Sequence, residues 1–420
     1  MILSRRQFLT AFPALAATIL VKPAIGQTPA RAKPLKRVVI VGGGFAGAMV
    51  ALTLRKLSPN AEVVVIEKGS VFVSAPSSLQ YIFGRASWSE ITREYQALTS
   101  RGIRLVGAEV QAIGPDRQVV QTTTGSLEYT FLVLSTGIRL ASEEIAGLKE
   151  NPDANASLFD RPNLPELRRR VGAYQGGTIL LSVPPPPLQC PPAPYEFALL
   201  FAELMRQKRL KGKVILLDSN TQPQPSSLSQ AIDEALRRNQ DIIDYVPSAQ
   251  VTELDVASGS VVTQDGERFS YNFLSLIPPH RAALFIRDAG LSLLGDPFVD
   301  VDPFTFRSTR FETIYALGDA ARTPYARTAS SAMRSAEICA HEIARTLGIK
   351  VKSPTSFRSV CYPYVSWEEA LRLGLDYRRE EGNEGPRLES RVMADTRPSR
   401  SHVEERKKWE RGVLRQMFGA

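Results

Sequence analysis

Arg37-Val38-Val39-Ile40-Val41-Gly42-Gly43-Gly44-Phe45-Ala46-Gly47 is the stretch that decides the fold. Its apolar run reads as a strand buried on both faces, and the glycines lead directly into a helical pattern from Ala48 to Leu57. Each glycine has a separate reason to be there. Gly42 permits a tight turn, Gly44 lets backbone approach a pyrophosphate, and Gly47 lets helix pack against strand. The helix would then aim free N–H groups and its positive end at the phosphates. A second strand, Glu62 to Ile66, ends in Glu67, about twenty residues past the last glycine, the spacing of a ribose-binding acid. Such an acid accepts bonds from ribose hydroxyls and repels a 2′-phosphate, which favours FAD or NAD over NADP. The expected class is α/β with a Rossmann-like dinucleotide domain.

Later segments separate FAD from NAD. Tyr129 to Leu134 reads as a strand ending in the turn Ser135-Thr136-Gly137. Thr313 to Leu317 reads as another, ending in Gly318-Asp319. In flavoproteins of the glutathione-reductase type, which this arrangement resembles, that aspartate binds the ribityl chain and the next helix points its N-terminus at the flavin. Here that helix is expected to begin near Ser330 or Ser331 and to run through Thr346. The candidate cofactor-binding residues on the adenosine and pyrophosphate side are Gly42, Gly44, Phe45, Ala46, Gly47 and Glu67, with Lys68 and Val110. Thr136, Gly137, Gly318, Asp319, Ser330 and Ser331 complete the set.

A second nucleotide domain is outlined and then altered. Gly176 to Val183 starts a strand, Tyr195 to Gln207 is helical, and Val214 to Leu217 leads to Asp218. Where a second glycine turn belongs, the chain reads Pro184-Pro185-Pro186-Pro187-Leu188-Gln189-Cys190-Pro191-Pro192. Prolines offer no N–H to a pyrophosphate and their rings obstruct close approach. NADH is therefore not the expected electron donor.

The run Gln189-Cys190-Pro191-Pro192-Ala193-Pro194-Tyr195-Glu196 resembles the flavoprotein subunit of flavocytochrome c sulfide dehydrogenase. So do Val41-Gly42-Gly43-Gly44, Leu217-Asp218-Ser219, Leu276-Ile277-Pro278-Pro279-His280-Arg281-Ala282 and Leu317-Gly318-Asp319. The resemblance implies two Rossmann-like domains followed by a C-terminal flavin-binding or cap domain. It also implies an exported FAD enzyme that oxidises sulfide or another small reduced sulfur donor and passes electrons to a c-type cytochrome. In that family one cysteine tethers the flavin and two more form a redox disulfide beside the ring. The tether position corresponds to Ala75 within Phe72-Val73-Ser74-Ala75-Pro76, so FAD is expected to be non-covalent. Cys190 matches the first redox cysteine and is the catalytic candidate; the second position corresponds to Ala321, after Gly318-Asp319-Ala320. On this reading the pair has lost a member. Cys339 and Cys361 are the remaining candidates as substitutes, but Cys339 is expected to be a buried mid-helix residue, and Cys361 resembles a structural position of the family.

Composition narrows the alternatives. Of 420 residues, 43% are hydrophobic and 23% charged, which excludes disorder as the main state. Three cysteines and three histidines support neither a disulfide scaffold nor a metal centre. The net charge of +9 comes without a compact basic run, so nucleic acid is not an expected partner. Part of the surplus belongs to Ser4-Arg5-Arg6-Gln7-Phe8-Leu9 and the short apolar stretch to Val21, the pattern of a twin-arginine export signal. Cleavage is expected after Gly26, with a second choice at Ala32, leaving a periplasmic protein without a stable membrane span.

The expected domains are the signal at 1–26, an FAD domain at 37–165 and 283–350, a nucleotide-like domain at 166–282, and a C-terminal domain at 351–420. The charged tail, with Arg and Glu interspersed from 378 to 415, reads as a solvated helix lying on the FAD domain. A cap over the flavin or a docking face for an acidic partner is the other reading. Sulfide:quinone oxidoreductases share this architecture but dip apolar C-terminal helices into membrane, which the charge in Glu404 to Trp409 argues against. No Cys-x-x-Cys-His haem site is present, so a cytochrome acceptor must be another chain. Three other functions remain open: a flavin oxidoreductase with a different donor, an NADH dehydrogenase, and a non-catalytic partner subunit.

Overall fold

A computed structural model describes residues 36–293, 295–383 and 385–419. The export-signal segment lies outside the described residues. β1 (Arg37–Val41) runs into α1 (Phe45–Leu57) and returns as β2 (Glu62–Glu67). With β3 (Arg104–Gly107) and β4 (Phe131–Leu134) this begins a parallel sheet. Val38, Val39 and Ile40 have no exposure, as a central strand covered on both faces requires.

A second parallel sheet is built from β5 (Gly177–Val183), β6 (Gly212–Asp218), β7 (Ile243–Val246) and β8 (Phe273–Ser275), in the order β7-β6-β5-β8. α2 (Ala193–Lys208) crosses over between β5 and β6 and buries Tyr195, Phe197, Leu200 and Phe201 against the sheet. The chain then returns to the first sheet as β9 (Ile314–Ala316), giving the order β9-β4-β1-β2-β3. α3 (Ala329–Thr346) follows, capped by Thr328, whose Oγ1 accepts the Ser331 N–H at 3.0 Å. It begins at Ala329, one or two residues before the expected start near Ser330 or Ser331.

The tail departs from the helix expected of it. β10 (Ser356–Cys361), β11 (Ala370–Gly382) and β12 (Gly385–Ser399) form an antiparallel sheet, so residues 378–382 and 385–399 are strand. The cause is visible in Leu371, Leu373, Leu375 and Tyr377, which alternate with Arg372, Gly374, Asp376 and Arg378 at a strand's period of two. Only α4 (Arg400–Phe418) is helical. Nor is α4 a solvated rod: Val403, Arg406, Glu410, Val413, Leu414 and Met417 are buried along one stripe at helical spacing. Two positions on that stripe are charged, and both line the central cavity. Among the described residues, no helix is long and apolar enough to cross a membrane.

Candidate active site

A cavity of about 740 Å³ extends from the ends of β1 and β2 to the N-terminus of α3, within the size range of ligand pockets. Gly42 sits at φ +97°, and a Cβ there would lie 2.5 Å from the Ser135 carbonyl oxygen. A Cβ on Gly47 would lie 1.9 Å from the Gly42 carbonyl oxygen, so α1 can approach β1 only with glycine at that position. Gly44 is different: a Cβ there would meet no protein atom within 4 Å, because it faces the cavity. Glu67 holds the turn in shape. Its Oε2 accepts the Gly43 N–H at 2.7 Å and its Oε1 the Gly69 N–H at 2.8 Å.

Most of the expected cofactor residues meet in this cavity. Gly42, Gly44, Phe45, Ala46, Glu67 and Lys68 line one part, and Thr136, Gly137, Gly318, Asp319 and Ser330 line the rest. Three lie elsewhere. Gly47 packs behind the turn, Val110 is buried in the core beside Val120 and Leu132, and Ser331 sits behind the lining. The Ser331 hydroxyl bonds Ser359 Oγ at 2.9 Å, and Ser330 Oγ accepts the Val360 N–H at 3.2 Å. These bonds tie the start of α3 to the strand that carries Cys361.

The cavity fits a flavin dinucleotide on its own geometry. Thr136 Oγ1 is buried on its wall without a hydrogen-bond partner. The first N–H groups of α3, at Ala329 and Ser330, have no intrahelical acceptor and belong to lining residues. Asp319 is buried there, with Oδ2 accepting from the Gln189 side-chain amide. Gly42, Gly44 and Glu67 would hold the adenosine and pyrophosphate, and Asp319 and the α3 N-terminus the flavin side.

The proline-rich loop after β5 turns toward this cavity. The Cys190 N–H donates to the Arg327 carbonyl at 2.8 Å, and the Gln189 N–H donates to His280 Nδ1 at 3.0 Å. Cys190 has φ +46°, a left-handed conformation that costs a non-glycine residue about 1–2 kcal/mol. The loop therefore delivers its thiol to the cavity against a backbone preference. The acid that would bind an NAD ribose is occupied internally. Asp218 is fully buried and accepts from Tyr195 Oη (2.6 Å), Tyr245 Oη (2.9 Å), and the Asn220 N–H (2.8 Å) and Nδ2 (2.7 Å).

Cys361, not the Ala321 position, supplies the second thiol. Ala321 is buried in the apolar core and is absent from the cavity wall. Cys190 and Cys361 both line the cavity as free thiols, and of its neighbours Cys361 acts most strongly on the Cys190 thiol. That neighbour, and then burial, raise the Cys190 pKa well above the ordinary thiol value. Cys339 lies within α3 in the core, with its pKa raised by burial. Sequence reasoning gave Cys361 a structural role because nothing local links it to Cys190. Arg406 and Glu410, also on the wall, were missed because they sit in a run dense with charge.

His280 makes the loop's anchoring sensitive to pH. Burial, reinforced by Arg327 and Arg281, pushes its pKa down from 6.5 to about 3. The folded protein thus keeps this imidazole neutral where the unfolded chain protonates it. The stability it contributes is present above pH ~6.5 and is lost as pH falls toward ~3. Wild type is expected to lose about 2 kcal/mol more than His280→Asn between pH 7 and pH 5. Urea unfolding at the two pH values measures this, and equal losses would remove His280 as the cause.

The family model for the central part of the sulfide dehydrogenase (flavocytochrome c) flavoprotein chain matches residues 166–278. The pyridine nucleotide-disulphide oxidoreductase model matches residues 36–171. The mitochondrial sulfide:quinone oxidoreductase of Dictyostelium discoideum is 23% identical over 316 residues, covering 73% of this chain and 70% of that one. A sulfide dehydrogenase (flavocytochrome c) flavoprotein chain from Chlorobaculum thiosulfatiphilum is 54% identical over 43 residues, 10% of this chain and 90% of that sequence. In three dimensions the sulfide:quinone oxidoreductase of Aquifex aeolicus superimposes with a TM-score of 0.77 at 19% identity, covering 91% of each chain.

Proposed function

We propose that the chain, which is similar to FAD-dependent, disulfide-reductase-like oxidoreductases, oxidises sulfide, or another small reduced sulfur donor, at Cys190 and Cys361, with a c-type cytochrome as acceptor. The observation that carries this reading is the pair of free thiols that share the wall of the cofactor cavity. Bound FAD supplies a carrier that takes up two electrons and releases them singly. The chain's own contribution is sulfur chemistry. With the pair oxidised, a hydrosulfide attacks one sulfur, the S–S bond breaks, and a persulfide and a thiolate remain on the two cysteines. Both cysteines are half-buried on the cavity wall, which limits the access of competing thiols.

The cofactor is held without a covalent bond. Ala75 lines the cavity where the resemblance places a tethering cysteine, and its methyl group cannot form a thioether. Acid precipitation is expected to leave all yellow colour in the supernatant; colour that stays with the protein would contradict this. The paired arginines at Arg5 and Arg6 support export to the periplasm, where c-type cytochromes are met.

The test is anaerobic mixing of FAD-loaded protein with sulfide or with NADH while flavin absorbance is followed. Sulfide is expected to bleach the flavin. NADH is expected to leave it oxidised, because prolines replace the second glycine turn and Asp218 already has its partners. Bleaching by stoichiometric NADH alone would transfer the function to the nicotinamide-dependent enzymes.

A further inference from the structure

α4 buries an arginine against both cysteine-bearing segments. Arg406 is 7% exposed, and its guanidinium has acceptors on every side. Nη1 donates to Glu196 Oε1 at 2.6 Å and to the Tyr362 carbonyl at 2.8 Å. Nε donates to Glu410 Oε1 at 3.0 Å and Nη2 to the Pro76 carbonyl at 2.7 Å. The Tyr364 ring stacks on the guanidinium carbon at 4.0 Å.

The addresses of these acceptors give the cluster its meaning. Tyr362 follows Cys361 directly. Glu196 lies in the first turn of α2, the helix that begins just after Cys190, and its Oε1 also accepts the Tyr364 N–H at 2.8 Å. Pro76 adjoins Ala75 on the cavity wall. One side chain thus joins the Cys190 segment, the Cys361 segment and the cofactor cavity. These segments are far apart in sequence, and no backbone hydrogen bond pairs the loop at 184–192 with β10.

We propose that Arg406 is a positioning residue for the Cys190–Cys361 pair, holding the two sulfurs within bonding range through Glu196 and the Tyr362 carbonyl. This rests on the reading of the pair as redox-active. The physical basis is effective concentration. Two thiols on separate segments form a disulfide readily only if something else has already fixed their separation. A planar guanidinium with donors fixed in a fork imposes that separation better than a flexible ammonium. Its charge also opposes that of Glu196 at the Cys190 thiol. Removing it would leave Glu196 and Glu410 buried without their shared cation.

The test measures the dithiol–disulfide equilibrium of the full FAD-loaded protein in glutathione buffers under argon. Cys190 and Cys361 give up two electrons and two protons to glutathione disulfide, which becomes two glutathiones. Acid quenching, alkylation and mass spectrometry count the linked fraction. Arg406→Gln is expected to lower the equilibrium constant at least about tenfold, and Arg406→Lys to lower it by less. Lys407→Gln, on the same helix and paired with Glu404 at 2.9 Å, is expected to leave it unchanged. A purely structural role would shift the melting temperature without moving the constant; a folded Arg406→Gln protein with the wild-type constant therefore overturns the proposal. If Arg406→Gln does not fold, Arg406→Lys decides by the same criterion. A wild-type protein that forms no Cys190–Cys361 disulfide at any glutathione ratio overturns instead the functional reading beneath it.

Discussion

Serine at position 190 or at position 361 is expected to slow sulfide-driven bleaching of bound FAD by at least about 100-fold. A hydroxyl cannot take part in thiol–disulfide exchange, so each single substitution removes the whole function and not half of it. Equal losses in the two variants would reflect a pair that acts as a unit, with the double variant no worse than either single one. FAD should stay bound in all three, because the glycine turn, Glu67 and Asp319 that would hold it are untouched. Cys339→Ser is the contrasting case. Cys339 is fully buried among Ile338, Ala340 and Ile343, so a hydroxyl there costs about 1–3 kcal/mol of stability but leaves bleaching intact. Stopped-flow absorbance and thermal melts on the same samples separate the two behaviours. A Cys361→Ser protein that bleaches at the wild-type rate would return Cys361 to the structural role its sequence context first suggests.

Two glycines in one turn should fail in opposite ways. Gly47→Ala places a methyl group 1.9 Å from the Gly42 carbonyl oxygen and 2.6 Å from Ser135 Oγ. Backbone must move to admit it, and a loss of about 3 kcal/mol or more is expected with or without cofactor. Gly44 has φ −68° and ψ −164°, an extended conformation open to any residue, and nothing within 4 Å of its Cβ position. Gly44→Val should therefore melt within about 1 kcal/mol of the wild-type apoprotein. Its side chain would stand in the space a pyrophosphate needs, and FAD affinity should fall at least about 100-fold, the equivalent of two tenfold steps of 1.4 kcal/mol. Melting of the apoproteins and FAD titration followed by fluorescence give both quantities. Wild-type affinity in Gly44→Val would place the cofactor somewhere other than this turn.

The parts of the molecule legible in sequence are those governed by local rules. The strand–glycine–helix–strand unit follows from apolar runs, a turn that only glycine can make, and a terminal acid. The residues of that unit from Gly42 to Glu67, with Gly47 behind it, fall where those rules place them. The β10–β12 sheet was hidden for a different reason. Its charges drew attention away from Leu371, Leu373, Leu375 and Tyr377, whose alternation is as regular as a strand can offer. Arg406 and Glu410 carry the spacing of a buried helical stripe, yet charge on such a stripe reads as surface until the fold supplies partners. Cys361 had no such local signal. It meets Cys190 only because the β5 loop turns back toward the cavity and α3 anchors β10 beside it. The family resemblance therefore points to Ala321 for the second position, whereas packing across the molecule brings Cys361 to the cavity wall that Cys190 also lines.

Peptide mapping of the oxidised protein tests the central claim most directly. Wild-type protein, oxidised with glutathione disulfide and digested without reduction, should yield the Cys190 and Cys361 peptides joined by one disulfide, while Cys339 becomes alkylated only after denaturation. Unlinked Cys190 and Cys361, or a link from either to Cys339, would contradict the pairing on which the proposed sulfur chemistry depends.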